Sequence, residues 1–288
     1  MSQNQKIPDS FIINQPFVNS ILHPTDFTMA SENAFAHALA LSLIRQTKLT
    51  ILHVGDSKDA WTQFPAVRKT LQKWGHLKPN SSKAAVFEEL NVRVEKISLK
   101  SKKPLKAVTD FLKHHPRDMI VLSTDQNEGI PAWIRPAGTE QIAHRSKTMT
   151  LFIPGTEGGF VDMNTGKIFL KRILIPIDHQ PSPYPAIEYA IRAANMVDHP
   201  VDISLFYAGP VSKMPSINLP NHENIHWNQI HTEGEVVAEI MNAAQKNAVD
   251  LIAMSTAGHN GFLDVLRGSV TEQVLQAVPC PLLAVPVN

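Results

Sequence analysis

Two glycine-bearing pieces near the C-terminus have the residue types and spacing to hold an anion. Met254-Ser255-Thr256-Ala257-Gly258 closes one apolar run, and Arg267-Gly268-Ser269-Val270 opens a stretch whose Val274, Leu275 and Val278 read as a helix. The N–H groups at a helix start carry partial positive charge and suit a phosphate, and glycine lets the backbone approach it closely. The Ser269 hydroxyl either caps that helix or donates to the anion, and the motif alone does not decide between them. Asp178 ends another apolar run, which would bring its carboxylate to the same carboxyl edge of a sheet, where open α/β folds bind their ligands.

Other reactive residues point elsewhere. His222-Glu223-Asn224-Ile225-His226 has the H-E-x-x-H spacing of a zinc protease, which needs a helix to put both imidazoles on one face. Pro220 precedes it and the alternation through Ile230 reads as a strand, in which residues four apart stand about 13 Å from each other. A looser metal site with His231 or His259 is the alternative to plain surface histidines. Cys280 lies between two prolines and reads as a buried thiol. Asp118 and Asp250 stand before apolar strands, as ends of helices or caps of turns rather than paired acids. There is no G-x-S-x-G elbow and no intact P-loop.

The elements that would position these residues repeat. Ile21-Leu22-His23-Pro24-Thr25-Asp26, a helix-prone stretch around Ala34, and Leu49 to Val54 give strand, helix, strand, the pattern of a parallel βαβ unit. The same order returns in Ile173 to Asp178, Ala186 to Ala190 and Ile203 to Tyr207, with Asp26 and Asp178 separated by a shift of 152. Asp118 to Thr124 matches Asp250 to Thr256 at a shift of 132, and Thr150 to Pro154 corresponds to Leu282 to Pro286 as the last strand of each half. The chain is an internal duplication of two doubly wound, mostly parallel-sheet α/β domains.

The expected layout is a tail over 1–18, a first domain over 19–155, a linker with a small hairpin over 156–169, and a second domain over 170–288. In the first half, Trp61, Phe64, Val67, Leu71 and Trp74 recur at helical spacing and predict one amphipathic helix. In the second, Gly209 to Glu223 carries Pro210, Pro215 and Pro220 and no periodicity; it is either a lid or the remnant of a lost helix.

Composition narrows the function. The 288 residues carry 27 basic and 26 acidic side chains, a net charge of +1 that gives no electrostatic reason to bind nucleic acid or an anionic membrane. No apolar run approaches the ~20 residues of a membrane span. The polar N-terminus lacks the order of a secretory leader, and one cysteine cannot form an internal disulfide, so a cytoplasmic location is the default expectation.

At these residues the chain resembles the universal stress protein family, over roughly 19–155 and 170–288. The resemblance rests on the Pro-x-Asp that ends each first strand, Leu52-His53-Val54, the glycine loop, Gly268-Ser269, and Ala277-Val278-Pro279-Cys280-Pro281. It implies the adenine nucleotide alpha hydrolase-like fold. Nucleotide-binding members carry Gly-x2-Gly-x9-Gly-Ser/Thr with ATP across the strand ends. Here the second glycine is Gly258 and the final pair is Gly268-Ser269, while Ser255 replaces the first glycine.

The nucleoside-contacting positions fall on Pro176, Asp178 and Tyr207, where a smaller aliphatic residue is usual at the last; Tyr207 would stack on a base or fill its pocket. With Met254, Arg267 and Val270 these make the expected cofactor-binding set, for ATP or a related adenine nucleotide with or without Mg. The first-half loop, with Asp125 and Glu128, puts carboxylates where phosphates would lie and disfavours a nucleotide there.

Three functions follow as expectations. The first is regulatory nucleotide binding in the C-terminal half with little or no hydrolysis, because no general base stands out. The second is an interaction scaffold for the stress response that has lost the nucleotide, and the third a metal-binding protein. The resemblance also implies that the two last strands pair, making an intrachain pseudo-dimer, with a homodimer as a further level.

Overall fold

A computed structural model describes residues 17–55, 60–124, 148–155, 158–256, 270–277 and 280–287. The first half runs β1 (Ser20–Thr25), α1 (Met29–Arg45), β2 (Lys48–Val54), α2 (Ala60–Gln63), α3 (Val67–Lys73), α4 (Ala85–Glu88), β3 (Arg93–Leu99), α5 (Pro104–His114), β4 (Met119–Thr124) and β5 (Met149–Pro154). The second runs β6 (Arg172–Pro176), α6 (Tyr184–Ala194), β7 (Val201–Ala208), a 3-10 turn at Val211–Lys213, β8 (Ile225–Thr232), α7 (Val236–Lys246), β9 (Leu251–Thr256), α8 (Val270–Ala277) and β10 (Leu282–Pro286).

These strands form one sheet in the order β3-β2-β1-β4-β5-β10-β9-β6-β7-β8. Neighbours run parallel within each half, as helical crossovers require. The exception is the centre, where β5 and β10 meet antiparallel with Phe152 opposite Leu282 and Thr150 opposite Ala284. The two last strands thus cover each other's edges, and the strand order of one half is repeated outward from that seam in the other. Both strands are buried along almost their whole length, so both faces of the seam are apolar.

Two helical layers bury the sheet. One face carries α1 and α6, with Leu39, Ile187 and Ile191 fully buried; the other carries α5, α7 and α8, with Val108, Ile240 and Val274 buried. Asp118 and Asp250 hold equivalent corners. Asp118 Oδ2 accepts the N–H groups of Asn19 (2.8 Å) and Ser20 (3.0 Å), and Asp250 Oδ2 those of Lys171 (2.7 Å) and Arg172 (2.8 Å). Each carboxylate clamps the start of the neighbouring strand, a role beyond the helix end or turn cap the sequence suggested.

The single amphipathic helix expected from Trp61 to Trp74 is two pieces. Pro65 lacks an N–H and clashes with the preceding turn, so α2 stops at Gln63 and α3 starts at Val67. Phe64, Leu71 and Trp74 are buried as the spacing predicted, but Trp61 is 61% exposed. Between the halves, Val161 bridges Ile168 antiparallel around a turn at Asp162–Gly166. Gly166 has φ +71 and a Cβ there would stand 2.4 Å from the Trp74 ring, so this turn needs glycine to lie against α3. Trp74 Nε1 donates to Met163 O at 3.0 Å, and Phe160 is buried against His37.

Candidate functional site at the carboxyl edge of the second half

The order of β6, β7 and β9 places a topological switch point beside β6, and their carboxyl ends line a cavity of about 310 Å³. Phe206, Ile240 and Met254 give it an apolar floor; Pro176 and Ala208 close the sheet side; Asp178, Ser255, Thr256 and Thr271 bring polar groups to the rim. Pro176 ends β6, and the chain turns out so that Asp178 is exposed, its Oδ1 accepting from His179 N at 2.7 Å. Six of the expected site residues, Pro176, Asp178, Tyr207, Met254, Ser255 and Val270, meet at this cavity. Gly258, Arg267, Gly268 and Ser269 lie outside the described residues, as do Asp125 and Glu128 of the first half.

Ser255, standing where the family has glycine, has a structural partner. Its Oγ accepts from Ala186 N at 3.2 Å, satisfying one of the unpaired N–H groups at the start of α6. Its own proton remains available to a ligand. Thr256 was not singled out in the sequence, yet its Oγ1 is buried at the cavity wall without a hydrogen-bond partner. A buried hydroxyl left unpaired costs about 1–3 kcal/mol, so Thr256 is held there by its packing and not by a hydrogen bond. The signal available in the sequence was the pairing of Thr124 with Thr256 at the 132-residue shift.

Strand register revises the aliphatic position. Pro24 stands opposite Leu52 in half one and Pro176 opposite Phe206 in half two, which equates Tyr207 with His53 and Ala208 with Val54. Tyr207 belongs to the apolar cluster on the α1/α6 face and lies near-parallel to His231, with ring centroids 6.2 Å apart. Ala208 packs on the α7 face beside the floor residues, and is the small aliphatic residue that the resemblance asks for.

The corresponding edge of half one holds a cavity of about 60 Å³, lined among the described residues by Pro24, Asp26, Val54, Pro104 and Val108. The H-E-x-x-H residues do not lie on a helix: Ile225–Thr232 is a strand parallel to β7, and the exposed His226 stands 3.4 Å from Asp202. Among the described residues no group of three or more His, Cys, Asp or Glu side chains is placed to hold a metal. Burial, with the Asp250 charge adding to it, pushes the Cys280 thiol up to about 12, which keeps it protonated and unreactive.

The sequence profile of the universal stress protein family matches residues 18–154 and 218–286. The chain belongs to the universal stress protein family. It is a tandem member, with one copy of the family's fold in each half. A universal stress protein of Methanocaldococcus jannaschii is 30% identical over 146 residues, 43% of this chain and 86% of the relative. In fold it is similar to a universal stress protein from Archaeoglobus fulgidus, with a TM-score of 0.59 at 15% identity over 94% of this chain and 97% of the other. It is also similar to a functionally unknown protein from Pseudomonas aeruginosa, with a TM-score of 0.58 at 13% identity over 93% and 92% of the two chains. Among the described residues of this family member, no helix is long and apolar enough to cross a membrane.

Proposed function

We propose that the C-terminal half binds an adenine nucleotide, ATP or a close relative, as a regulatory ligand that it hydrolyses slowly or not at all. The observation that carries this reading is the 310 Å³ cavity at the strand ends, which brings Pro176, Asp178, Met254, Ser255 and Val270 together. Its size falls at the lower end of small-ligand sites and suits a nucleoside. The floor of Phe206, Ile240 and Met254 offers apolar contact to a base, and Asp178 offers an acceptor to an exocyclic amine or a ribose hydroxyl. Val270 and Thr271, at the start of α8, line the same cavity, and N–H groups at a helix start favour phosphate. Magnesium would come with the phosphates, since hard cations prefer phosphate oxygens and water to a sparse protein site.

Calorimetric titration with ATP and magnesium tests the reading. One nucleotide should bind per chain. Ala208→Phe should fill the cavity and weaken binding at least ~100-fold, about 2.7 kcal/mol, while Val54→Phe in half one leaves affinity unchanged. No heat from the wild-type chain would favour the interaction scaffold, and loss in Val54→Phe instead would move the site to the first half.

A further inference from the structure

A second cavity, about 650 Å³, opens on the far side of half one between α3, α4 and the edge strand β3. Five cations line it: Arg68 and Lys69 from α3, Lys83 just before α4, and Arg93 and Lys96 from β3. Between them the walls are hydrocarbon, from Val67, Val86, Phe87 and Val94. Among the described residues, no carboxylate, amide, hydroxyl or imidazole side chain lines it. Glu95, next to Lys96, is paired with Lys48 at 2.8 Å.

That lining selects by what it lacks. Its side chains offer hydrogen-bond donors and no acceptor, so a sugar or a base edge, which brings donors of its own, would leave them unpaired. An occupant must be anionic at one end and apolar at the other. The two arginines are already oriented: Arg68 Nη1 donates to Ser81 O at 3.1 Å, and the Arg93 guanidinium lies 5.1 Å from the Phe87 ring centroid. Lys69, Lys83 and Lys96 have no ion pair among the described residues. Burial, with the Lys83 charge adding to it, holds the Lys96 ammonium below the usual lysine range.

The second half shows the same face closed. Trp227 is opposite Ile203 as Val94 is opposite Leu49, so Trp227 replaces Val94. Its Nε1 donates to Pro220 O at 3.0 Å, and Met214, Ile217 and Leu219 pack with it on the core.

We infer that the cavity between α3, α4 and β3 binds an amphipathic anion, an acyl chain with a carboxylate or phosphate head. The inference stands whether or not the second half binds a nucleotide. Titration calorimetry of the full chain with dodecanoate, dodecyl phosphate, dodecanol and dodecyltrimethylammonium, each below its micellar concentration, tests it. At least one of the two anions should bind, one per chain, and at least tenfold tighter than the alcohol or the cation. Whichever anion binds tighter tells a free fatty carboxylate from an acyl phosphate source. Lys83→Glu with Lys96→Glu should weaken that anion at least tenfold, and Val94→Trp, which copies the second half, should block it. Thermal unfolding checks that the variants fold, and should Val94→Trp fail to fold, the lysine pair decides. Dodecanol matching the anions, binding of neither anion, or a lysine double variant that binds like the wild type would overturn the inference.

Discussion

The carboxyl edges of the two halves begin with the same Pro-x-Asp and end differently. In half one, Asp26 Oδ1 accepts from Thr28 N (3.1 Å) and Thr28 Oγ1 (2.7 Å), and Thr28 caps α1 through Ser31 N. Phe27 takes φ +66, stacks on His53 with centroids 4.1 Å apart, and meets Phe64 edge-on at 5.4 Å. His53 Nδ1 in turn lies 2.9 Å from Thr25 O. In half two the carboxylate of Asp178 accepts, among the described residues, from the adjoining His179 N alone, and the side chain is exposed at a cavity five times larger. One copy has committed its aspartate to holding the next helix; the other leaves it exposed at the edge of the cavity. A duplicated fold can spend the same residue on stability in one half and on recognition in the other, provided each half is clamped elsewhere.

The halves should also part in acid, which is the largest effect expected. His23 and His37 are both in half one, where half two has Ile175 and Tyr189 at the 152-residue shift. His23 is fully buried with Nδ1 3.1 Å from Val121 O and no partner for Nε2; His37 places Nδ1 2.9 Å from Asn33 O and accepts from Phe160 N at 3.1 Å. Burial drops each imidazole from 6.5 to about 4. The unfolded chain therefore takes up protons near 6.5 that the folded chain refuses until about 4, so stability is complete above that window and falls as pH is lowered through it. Each histidine should contribute about 3 kcal/mol to that fall. Urea unfolding from pH 7.5 to 4, followed by hydrogen exchange resolved by segment, should show half one opening first. His23→Ile, copying Ile175, should halve the slope; an unchanged slope would place the acid sensitivity elsewhere.

The next effect should be the same in both halves. Asp118→Ala and Asp250→Ala each free two backbone N–H groups that a carboxylate now satisfies. Charge-assisted bonds of this kind are worth about 1.5–3 kcal/mol, so each variant should lose about 2 kcal/mol in denaturant unfolding. A clear inequality would show that one half bears more of the fold's stability than the duplication implies.

Most of the architecture was legible because the apolar runs, their terminal Pro and Asp residues and the repeat spacing are local patterns that a parallel sheet needs. The meeting of β5 and β10 followed from two apolar last strands that had no other cover, though not their register. Register across a longer connection was not legible. Half two spends two more residues between Asp178 and Tyr207 than half one does between Asp26 and His53, so the 152-residue shift that joins Asp26 to Asp178 fails at β7, where Ala208 stands level with Val54. The break at Pro65 is visible in the sequence, but the helical spacing on either side of it masked the interruption. Thr256 escaped notice because its orphaned hydroxyl is a property of packing, and Ser255 gained a partner in α6 that lies 69 positions away along the chain.

The finest test of the comparison exchanges the two aspartates' roles. Asp178 has one backbone partner in its own loop and lines the cavity, so Asp178→Ala should leave stability nearly intact and weaken ATP about tenfold, or 1.4 kcal/mol. That figure is what one exposed, solvent-competed acceptor can add; a buried one would add more. Asp26 has two bonds to Thr28 at the start of α1, so Asp26→Ala should leave ATP affinity unchanged and lower stability by about 1 kcal/mol, the usual worth of a helix-start contact. Calorimetric titration and urea unfolding of both variants give four readings from one preparation of each. The expected pattern is a cross: affinity lost with Asp178, stability lost with Asp26. Equal loss of stability in the two variants would show that Asp178 is structural after all, and the open carboxylate at the larger cavity would then be incidental to binding.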